Sequence, residues 1–460
     1  MEQTPEQLEY LQHLSDCRWN MVRHINGKGI EVSNNKFNVL PKAVKIVTED
    51  DPLAYKDLAR FKVKDPTIPL EIEDNSLDFV FITMENIPSP MVEEYSNKLV
   101  SGGRLMLHCK YNGSWNLSIQ IKSTNGVVPY EEPVIPKKNI GIMRLGAIGD
   151  LLQVTSVAAQ AKKMGYHVTV YGQNPAATVL QNNPNIDEIV GTDRNIIRNN
   201  ELQMYWDWLE TKHERWVNLC GSVEVAWLPN KNHPQFHWPD KVRNKYLNAN
   251  YVAFMHELAG LPYKKLDVKF YPTDAEINWA KEERSKMPGK KLLCYAMNGS
   301  SLHKVWPYFD TIVARTMLML PDVDVVTLGG DDAVALEGGW QEESRVHCRS
   351  GAWSIRQSLT FIQLYADVLV GPETGLLNGM CCEPMKKVLF LSHSSKNNLS
   401  RDWHNTESLS SECCGKCLHR LHLNDDGWKY MERDDETGVA KCQAQISPDT
   451  VWNIIYKELK

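Results

Sequence analysis

The stretch MRLGAIGDLLQVTSVAAQAKKMGYHVTVYG, residues 143–172, predicts a strand, a glycine loop, a helix and a second strand. The apolar run at residues 140–143 is typical of a short buried strand, and residues 151–164 have the apolar spacing of a helix. Gly146 and Gly149 allow backbone conformations that a Cβ would obstruct. The loop opens onto a helix N-terminus, which favours an anion or the close approach of a substrate.

Length and composition limit the class of protein. A chain of 460 residues is expected to hold about three domains or two large ones. With 42% apolar and 23% charged residues, it has the composition of a globular protein rather than a disordered one. A net charge of −6 argues against a globally basic nucleic-acid binder, although it leaves room for a local basic groove.

The sequence carries no pattern for membrane insertion or export. No apolar stretch reaches the ~18 to 20 residues that span a bilayer, and the Glu- and Gln-rich N-terminus lacks a signal-peptide pattern. These features predict a cytoplasmic protein. Its 11 cysteines are therefore expected to be thiols or metal ligands rather than a disulfide framework.

Alternating strand and helix patterns predict an α/β protein with two Rossmann-like domains in tandem, which implies a cleft between them. The Pro- and Lys-containing stretch GVVPYEEPVIPKKN interrupts this alternation and predicts a linker. The predicted segments are a small domain at 1–125, the linker at 126–138, the first Rossmann-like domain at 139–287, the second at 288–446, and a C-terminal helix at 447–460 with Ser447 as its N-cap.

Four short motifs follow predicted strands in the two tandem domains. They are RLGAIGD (144–150), HKVWP (303–307), LGGDD (328–332) and GPETG (371–375). In these motifs and their order, residues 139–460 resemble glycosyltransferase family 9, the heptosyltransferases. The resemblance implies a GT-B fold, in which two Rossmann-like domains face a cleft that holds a nucleotide sugar. Ligands of open α/β sheets bind at the carboxyl ends of the strands, where these motifs lie.

The resemblance implies that Asp150, at the end of the glycine loop with Arg144, Gly146 and Gly149, is the general base of an inverting transfer. Asp150 would deprotonate an acceptor hydroxyl as it attacks the anomeric carbon from the face opposite the leaving nucleotide. A hydroxyl is a poor nucleophile until its proton has a positioned acceptor. The alternative is that Asp150 is simply the N-cap of the following helix.

The leaving nucleoside diphosphate needs positive partners, and the paired-Asp motif of metal-dependent sugar transferases does not stand out. The chemistry is therefore expected to require no cofactor. Lys304 is the candidate point charge, with the amides around Thr374 and Gly375 at a helix N-terminus. Lys304 could instead be a solvated surface lysine, and Gly329 and Gly330 could form a binding loop or only a turn.

Two positions depart from the family. Where its members usually have Asp-Thr-Gly and a His three residues later, this chain has Glu373-Thr374-Gly375 and Asn378. Glu moves the carboxylate by one methylene, and Asn keeps hydrogen bonding but loses the titratable ring. We therefore expect altered contacts to the diphosphate or the sugar. The default donor remains ADP-heptose.

The acceptor and the assembly stay open. Candidate acceptors are a saccharide of lipopolysaccharide or capsule, a protein hydroxyl, or a hydroxymethylated DNA base as in phage DNA modification, which the negative charge disfavours. The alternatives to a transferase are a non-catalytic nucleotide-sugar-binding module and a methyltransferase acting through the N-terminal domain. A homo-oligomer is compatible with the sequence.

A cysteine-rich loop at residues 413–442 predicts a structural metal. Cys414 and Cys417 have the C-x-x-C spacing that presents two thiolates to one tetrahedral ion. Cys442 would be a third ligand, and Cys413, His419 or His422 the fourth. Some heptosyltransferases that modify proteins and resemble this chain carry such a metal, so zinc and iron both remain open. The alternative is a redox pair or ordinary reduced thiols.

The N-terminal region contains the segments GKGIEVSNN (27–35), VKIVTEDD (44–51), LEIEDNSLDFVFI (70–82) and KLVSGGRLMLH (98–108). In this series, residues 27–109 resemble class I S-adenosylmethionine methyltransferases. A working cofactor loop would need glycines where Ser33 and Asn35 stand, because the methionine moiety packs against bare backbone. The domain is also short. We expect a degenerate methyltransferase-like domain kept for binding or assembly.

Overall fold

The computed structural model describes residues 29–33, 45–47, 60–63, 76–83, 87, 89–111, 114–123, 126–129, 136–192, 202–220, 238–299, 302–411 and 432–460. The chain divides into two compact units. One consists of residues 1–137 and 190–214, and the other of residues 138–189 and 215–460. In the described ranges, no helix is both long and apolar enough to cross a membrane.

The first unit contains a seven-stranded sheet with the order β2-β3-β1-β4-β5-β6-β7. Strands β1 to β5 are parallel, and β6 and β7 run antiparallel to their neighbours. Helices of this unit are Ser89–Lys98 and Leu202–Glu210. The strands are β1 (Gly29–Ser33), β2 (Lys45–Val47), β3 (Arg60–Val63), β4 (Leu77–Thr83), β5 (Leu99–Tyr111), β6 (Ser114–Ser123) and β7 (Gly126–Pro129).

The linker prediction was wrong at its first four residues. Gly126–Pro129 forms strand β7, which pairs with β6. Val127 explains the difference, because its side chain packs against the core of this unit, which includes Leu77 and Val80. The methyltransferase resemblance stays a prediction, since residues 34 and 35 of the expected cofactor loop lie outside the described residues.

The second unit begins with a four-stranded sheet of order β10-β9-β8-β11. Its strands are β8 (Asn139–Arg144), β9 (His167–Gln173), β10 (Glu188–Thr192) and β11 (Arg215–Asn218). The first two residues of β10 belong to the second unit and its last three to the first. Both neighbours of β8 are parallel to it. Every residue of β8 is buried, as expected for a central parallel strand covered on both faces.

A six-stranded, fully parallel sheet follows, with the order β14-β13-β12-β15-β16-β17. Counted from its own first strand, this order is 3-2-1-4-5-6, the order of a doubly wound Rossmann sheet. The strands are β12 (Lys291–Ala296), β13 (Val323–Leu328), β14 (Val346–Cys348), β15 (Val368–Pro372), β16 (Lys386–Phe390) and β17 (Thr406–Leu409).

Helices cover both sheets of the second unit. The glycine loop leads directly into Ile148–Lys163, named here the Ile148 helix, and β15 leads into Gly375–Gly379, the Gly375 helix. The other α-helices are Asp240–Leu247, Tyr251–Leu258, Asp274–Ser285, Phe309–Met319, Ile355–Tyr365, Lys441–Ala444 and Pro448–Leu459. Short 3₁₀ helices lie at Ala176–Leu180, Leu302–Lys304 and Asp331–Glu337, and a short π-helix lies at Lys396–Ser400.

The C-terminal helix completes the second core. Val451 and Ile455 are fully buried in an apolar cluster with residues of β12, β13 and β16. The Trp306 indole N–H donates to the carbonyl of Ile446 at 3.1 Å, which ties the chain before the helix to the same core. Ser447 lies at the predicted N-cap, although its side chain accepts no hydrogen bond there.

Arg356 fastens the two halves of the second unit to each other. It lies in the helix Ile355–Tyr365 and is only 7% exposed. Its Nε and Nη2 donate to the two carboxylate oxygens of Glu276 at 2.6 and 2.7 Å. Nη1 donates to the carbonyl of Thr178, and Nη2 also reaches the carbonyl of Tyr271. Burial raises the pKa of Glu276, but hydrogen bonds from Arg356 and Thr273 outweigh burial and lower it.

We expect Arg356→Met to lower the free energy of unfolding by about 3 kcal/mol, because it leaves a partly buried carboxylate without its partner. The wild-type contribution is present above the ordinary carboxyl pKa, about 4.3, and is lost as the pH falls through the lowered pKa of Glu276. Denaturant titration at pH 7 and pH 3 measures both effects.

Arg315→Met is the matched control, since Arg315 pairs with Asp449 at the surface, where the Asp449 side chain is 73% exposed. Its removal should cost at most about 1 kcal/mol. Equal losses for the two variants would contradict the role given to Arg356.

Candidate functional site

A cleft of about 450 Å³ lies between the two halves of the second unit, at the carboxyl ends of their parallel strands. In both sheets, the chain reverses its winding direction beside the first strand, β8 or β12, which is where open α/β sheets bind ligands. The structure brings nine of the predicted site residues to this cleft: Gly149, Asp150, Lys304, Gly329, Gly330, Glu373, Thr374, Gly375 and Asn378.

Two contacts fix the carboxylate of Asp150. Arg144 Nη2 donates to Oδ1 at 2.8 Å, and the Ala147 N–H donates to Oδ2 at 2.8 Å. Arg144 is itself buried and held by the carbonyl of Cys220 at 2.9 Å. Gly146 is required beside it, since a Cβ there would lie 2.5 Å from Asp150 Oδ2. The carboxylate is therefore positioned, with 24% of the side chain still exposed.

The interpretation of Asp150 as an N-cap was wrong by three residues. The helix begins at Ile148, and Ala147 occupies the N-cap position. Asp150 instead lies in the first turn, where its carboxylate accepts the N–H of the N-cap residue and complements the helix dipole. This local role is compatible with a second role in the cleft.

Lys304 is not a solvated lysine. It is 7% exposed, and its Nζ donates to the carbonyl of Glu373 at 3.0 Å. Gly299 makes room for it, because a Cβ on Gly299 would lie 2.4 Å from Lys304 Cδ. Burial lowers the pKa of the Lys304 ammonium, while the charges of Glu373 and Asp150 oppose that shift. The ammonium is thus held at the cleft wall by a backbone carbonyl and is affected by the charges of two carboxylates.

The carboxylate of Glu373 is directed at the chain after β16. Oε1 accepts the N–H groups of Ser392 and Ser394 at 2.6 and 3.1 Å. Oε2 lies 3.0 Å from His393 Nδ1, and Glu373 is 4% exposed. Glu373 therefore shapes the cleft wall and fixes the residues 392–394 that form part of it.

The glycines after β13 pack tightly against their surroundings. A Cβ on Gly329 would lie 2.4 Å from the Cβ of Ala333, and one on Gly330 would lie 2.9 Å from Asp332 Oδ1. The second carboxylate oxygen of Asp332 accepts a hydrogen bond from Asn298 Nδ2 at 2.8 Å. These glycines serve a tight turn that also lines the cleft.

The Ile148 helix and the Gly375 helix meet at their N-terminal ends. Gln153 Nε2 donates to Asn378 Oδ1 at 2.8 Å, and Asn378 Nδ2 donates to the carbonyl of Thr374 at 2.8 Å. A Cβ on Gly149 would lie 3.0 Å from Asn378 Nδ2. A Cβ on Gly375 would lie 2.7 Å from the side chain of Ile148. Asn378 therefore joins the two halves of the site.

Sequence reasoning missed several residues of the cleft, among them Trp353 and His393. Trp353 is held edge to face by Trp279, with ring centroids 4.9 Å apart, and the Arg349 guanidinium lies 5.7 Å from the Trp353 ring centroid. Trp353 follows β14 (Val346–Cys348), a strand that the sequence analysis did not predict. Nothing in the local sequence indicated His393.

The predicted metal ligands are mostly outside the described residues, namely Cys413, Cys414, Cys417, His419 and His422. Cys442 is described: it is half-buried and lies in the helix Lys441–Ala444. Within the described ranges, no group of three or more His, Cys, Asp or Glu side chains is arranged to hold a metal ion.

No protein-family model and no curated protein matches the sequence. Among solved structures, the chain is similar to a family 9 glycosyltransferase from Veillonella parvula DSM 2008, with 14% identity and a TM-score of 0.53 over 72% of this chain and 99% of that one. It is also similar to the ADP-heptose lipopolysaccharide heptosyltransferase II of E. coli, with 16% identity and a TM-score of 0.48 over 70% of this chain and 98% of that one.

A third similar structure is the iron-containing dodecameric glycosyltransferase TibC of enterotoxigenic E. coli, with 12% identity and a TM-score of 0.46 over 75% of this chain and 85% of that one. At these identities, the Veillonella structure establishes the fold alone. Together with the two parallel sheets and the cleft between them, it confirms the predicted GT-B fold.

The hydrogen bond between Gln153 and Asn378 predicts energetic coupling between the two halves of the site. In a double-mutant cycle with Gln153→Ala and Asn378→Ala, we expect a coupling energy of about 1 kcal/mol in the free energy of unfolding, because each single change leaves the other amide buried and unsatisfied. Denaturant unfolding of the four proteins measures it.

The pair Gln153→Ala and Arg315→Ala provides the control cycle, since Arg315 contacts Asp449 at the surface rather than either helix end. Its two effects should add. Strict additivity in the Gln153 and Asn378 cycle would show that the contact does not couple the halves.

Proposed function

We propose that this chain is a glycosyltransferase that moves a sugar from a nucleotide-diphosphate sugar to an acceptor hydroxyl. The observation that carries the proposal is the position of Asp150. Its oriented carboxylate lies in the same cleft as the buried Lys304, close enough for the charge of Asp150 to affect the pKa of that lysine. A base and a cation in one cleft suit a displacement in which the acceptor hydroxyl loses its proton and the nucleoside diphosphate leaves as an anion.

Asp150 is the proposed general base. As the acceptor oxygen bonds to the anomeric carbon, its proton passes to an Asp150 oxygen, and the bond from that carbon to the diphosphate breaks. Attack from the face opposite the leaving group inverts the anomeric configuration. Arg144 and the Ala147 N–H keep the carboxylate oriented, so little reorganisation is needed when the acceptor binds.

Lys304 is the proposed partner of the leaving diphosphate. The donated hydrogen bond to the Glu373 carbonyl aims its ammonium at the chain between β15 and the Gly375 helix. A fixed charge in a partly desolvated cleft stabilises a developing anion better than a mobile surface charge does. Thr374, Gly375, Gly329 and Gly330 present backbone to the same space, which suits close approach of phosphates or sugar.

Trp353 is the candidate platform for the nucleobase. It lines the cleft, and its indole ring is fixed by Trp279, so a base can stack on it with little loss of side-chain freedom. We take ADP-heptose as the default donor from the family resemblance. The proposed acceptors remain a saccharide or a protein hydroxyl, with modified DNA less favoured by the net charge of −6.

We also propose a structural zinc or iron ion in the cysteine-rich loop, held by Cys414, Cys417 and Cys442 with Cys413, His419 or His422. The support is the C-x-x-C spacing and the anchoring of Cys442 next to Gln443, whose amide donates to the Leu391 carbonyl in the core. Metal analysis of the purified chain should find about one ion per chain. Cys442→Ser should lower that content, whereas the half-buried Cys348 can be changed to Ser as a control.

Asp150→Asn tests the catalytic role directly. The amide keeps an oxygen that can accept the Ala147 N–H but cannot take the acceptor's proton. We expect the turnover rate to fall by about 10² to 10⁴, while the affinity for the donor stays within about threefold. Donor hydrolysis or transfer with ADP-, UDP-, GDP- and CDP-linked sugars supplies the rate, and calorimetry supplies the affinity.

Two variants complete this test. Asp322→Asn is the matched control, because Asp322 pairs with Lys290 at the far end of β13 and should leave the rate unchanged. Lys304→Met should weaken donor binding by about tenfold or more, since it removes a charged hydrogen-bond donor. Donor binding without turnover in the wild-type chain would favour a nucleotide-sugar-binding module instead.

A further inference from the structure

The cleft has too little positive charge for the ligand proposed for it. Among the described residues that line it, three are carboxylates, Asp150, Asp332 and Glu373, and Lys304 is the sole Lys or Arg. Arg144 compensates Asp150 from behind. A diphosphate that enters such a site meets net repulsion unless another group supplies a positive charge.

His393 is the ionisable group placed to supply it. It lines the cleft, is 4% exposed, and its Nδ1 lies 3.0 Å from Glu373 Oε2. The ring of His303 meets it edge to face, with His303 Nε2 3.1 Å from the same Nδ1. The Ser392 hydroxyl lies 3.3 Å from Nδ1. Two imidazoles and one carboxylate therefore share a single buried site at the wall of the cleft.

The carboxylate of Glu373 is incompletely satisfied in this site. Oε1 accepts two backbone N–H groups, but no described group donates a well-aligned hydrogen bond to the buried Oε2. A buried anion in this state favours gain of a proton by its neighbour, which would turn a close contact into a charged hydrogen bond. Burial opposes that proton, whereas a bound anion would favour it.

We propose that His393 takes up a proton from solvent when the diphosphate of the donor binds, and that the imidazolium, held by Glu373, supplies the second positive charge of the cleft. This inference rests on the proposed function, because it concerns the same ligand. Among the described residues, the ionisable groups in contact with His393 are Glu373, which follows β15, and His303, from the turn before Phe309–Met319. Tyr251 reaches the adjacent Ser394 from the first half, with 3.5 Å between the two hydroxyl oxygens.

Proton uptake has a defined pH signature. A bound anion favours the imidazolium, so the affinity is highest below the pKa of His393 in the free protein. It then falls by up to about tenfold per pH unit as the pH rises toward the higher pKa of the complex. The ordinary pKa of histidine is about 6.5, so the slope is expected between pH 6 and pH 8.

Calorimetry tests the proposal with whichever of ADP-, UDP-, GDP- and CDP-glucose binds most tightly. These diphosphate diesters do not titrate near neutral pH, so any proton taken up belongs to the protein. Binding at pH 7 in buffers of different ionisation enthalpy should reveal net proton uptake by the wild-type chain. His393→Gln should abolish this uptake and weaken binding about tenfold at pH 6, with little change at pH 8.

Glu373→Gln serves as a second variant, since it keeps an oxygen for the Ser392 and Ser394 amides but removes the charge. It should shift the pH dependence to lower pH without abolishing binding. His404→Gln is the matched control, because His404 is an exposed histidine outside the cleft, and it should retain full uptake. Thermal melting verifies that each variant is folded.

Each other outcome overturns the proposal. Tight binding without proton uptake, or uptake that persists in His393→Gln, contradicts the role of His393 while leaving the transferase function intact. Proton uptake that is lost in His303→Gln but not in His393→Gln would show that His303, rather than His393, takes up the proton. No binding of any of the four nucleotide sugars to the wild-type chain contradicts both the inference and the proposed function.

Discussion

The site depends on the close approach of two helix ends from different halves of the chain. The N-termini of the Ile148 and Gly375 helices meet with only glycine at Gly149 and Gly375, where a Cβ would lie 3.0 Å or less from the opposing side chain. The amides of Gln153 and Asn378 close the contact. Each helix follows a strand closely. The contact between them therefore sets the distance from the Asp150 carboxylate, after β8, to Lys304 and Glu373, after β12 and β15. A Cβ at Gly375 would press against Ile148, and one at Gly149 would press against the amide of Asn378.

Buried charge is the second requirement of the arrangement. Arg144, Lys304 and Glu373 are each less than 10% exposed, and isolated burial of any one would be costly. The fold meets this cost by backbone partners: Cys220 for Arg144, the Glu373 carbonyl for Lys304, and two amides for Glu373. Backbone groups at strand ends are fixed by the sheets, so the charges they hold are oriented before any ligand arrives.

The sequence patterns predicted the features that depend on residues close together in the chain. Apolar runs gave the central strands, and the motifs at their ends correctly grouped residues such as Asp150, Lys304 and Gly375 at one cleft. Partners distant in sequence were out of reach: Gln153 and Asn378 are 225 residues apart, and the direction of the Glu373 carboxylate depends on a loop 19 residues later. The helix that was expected from residue 151 begins at Ile148, because Asp150 caps it from within its first turn rather than preceding it.

Glu373 and Asn378, the two positions that differ from the heptosyltransferase-like pattern, belong to one connected set of contacts at the cleft. An asparagine at position 378 cannot carry charge, but its amide donates to the Thr374 carbonyl and accepts from Gln153 at once. The extra methylene of Glu373 extends its carboxylate to the amides of Ser392 and Ser394, which brings the loop with His393 to the cleft wall. The Gly375 helix thus connects the two halves of the site through Asn378. The titratable side chain of His393 reaches the cleft from the chain after β16.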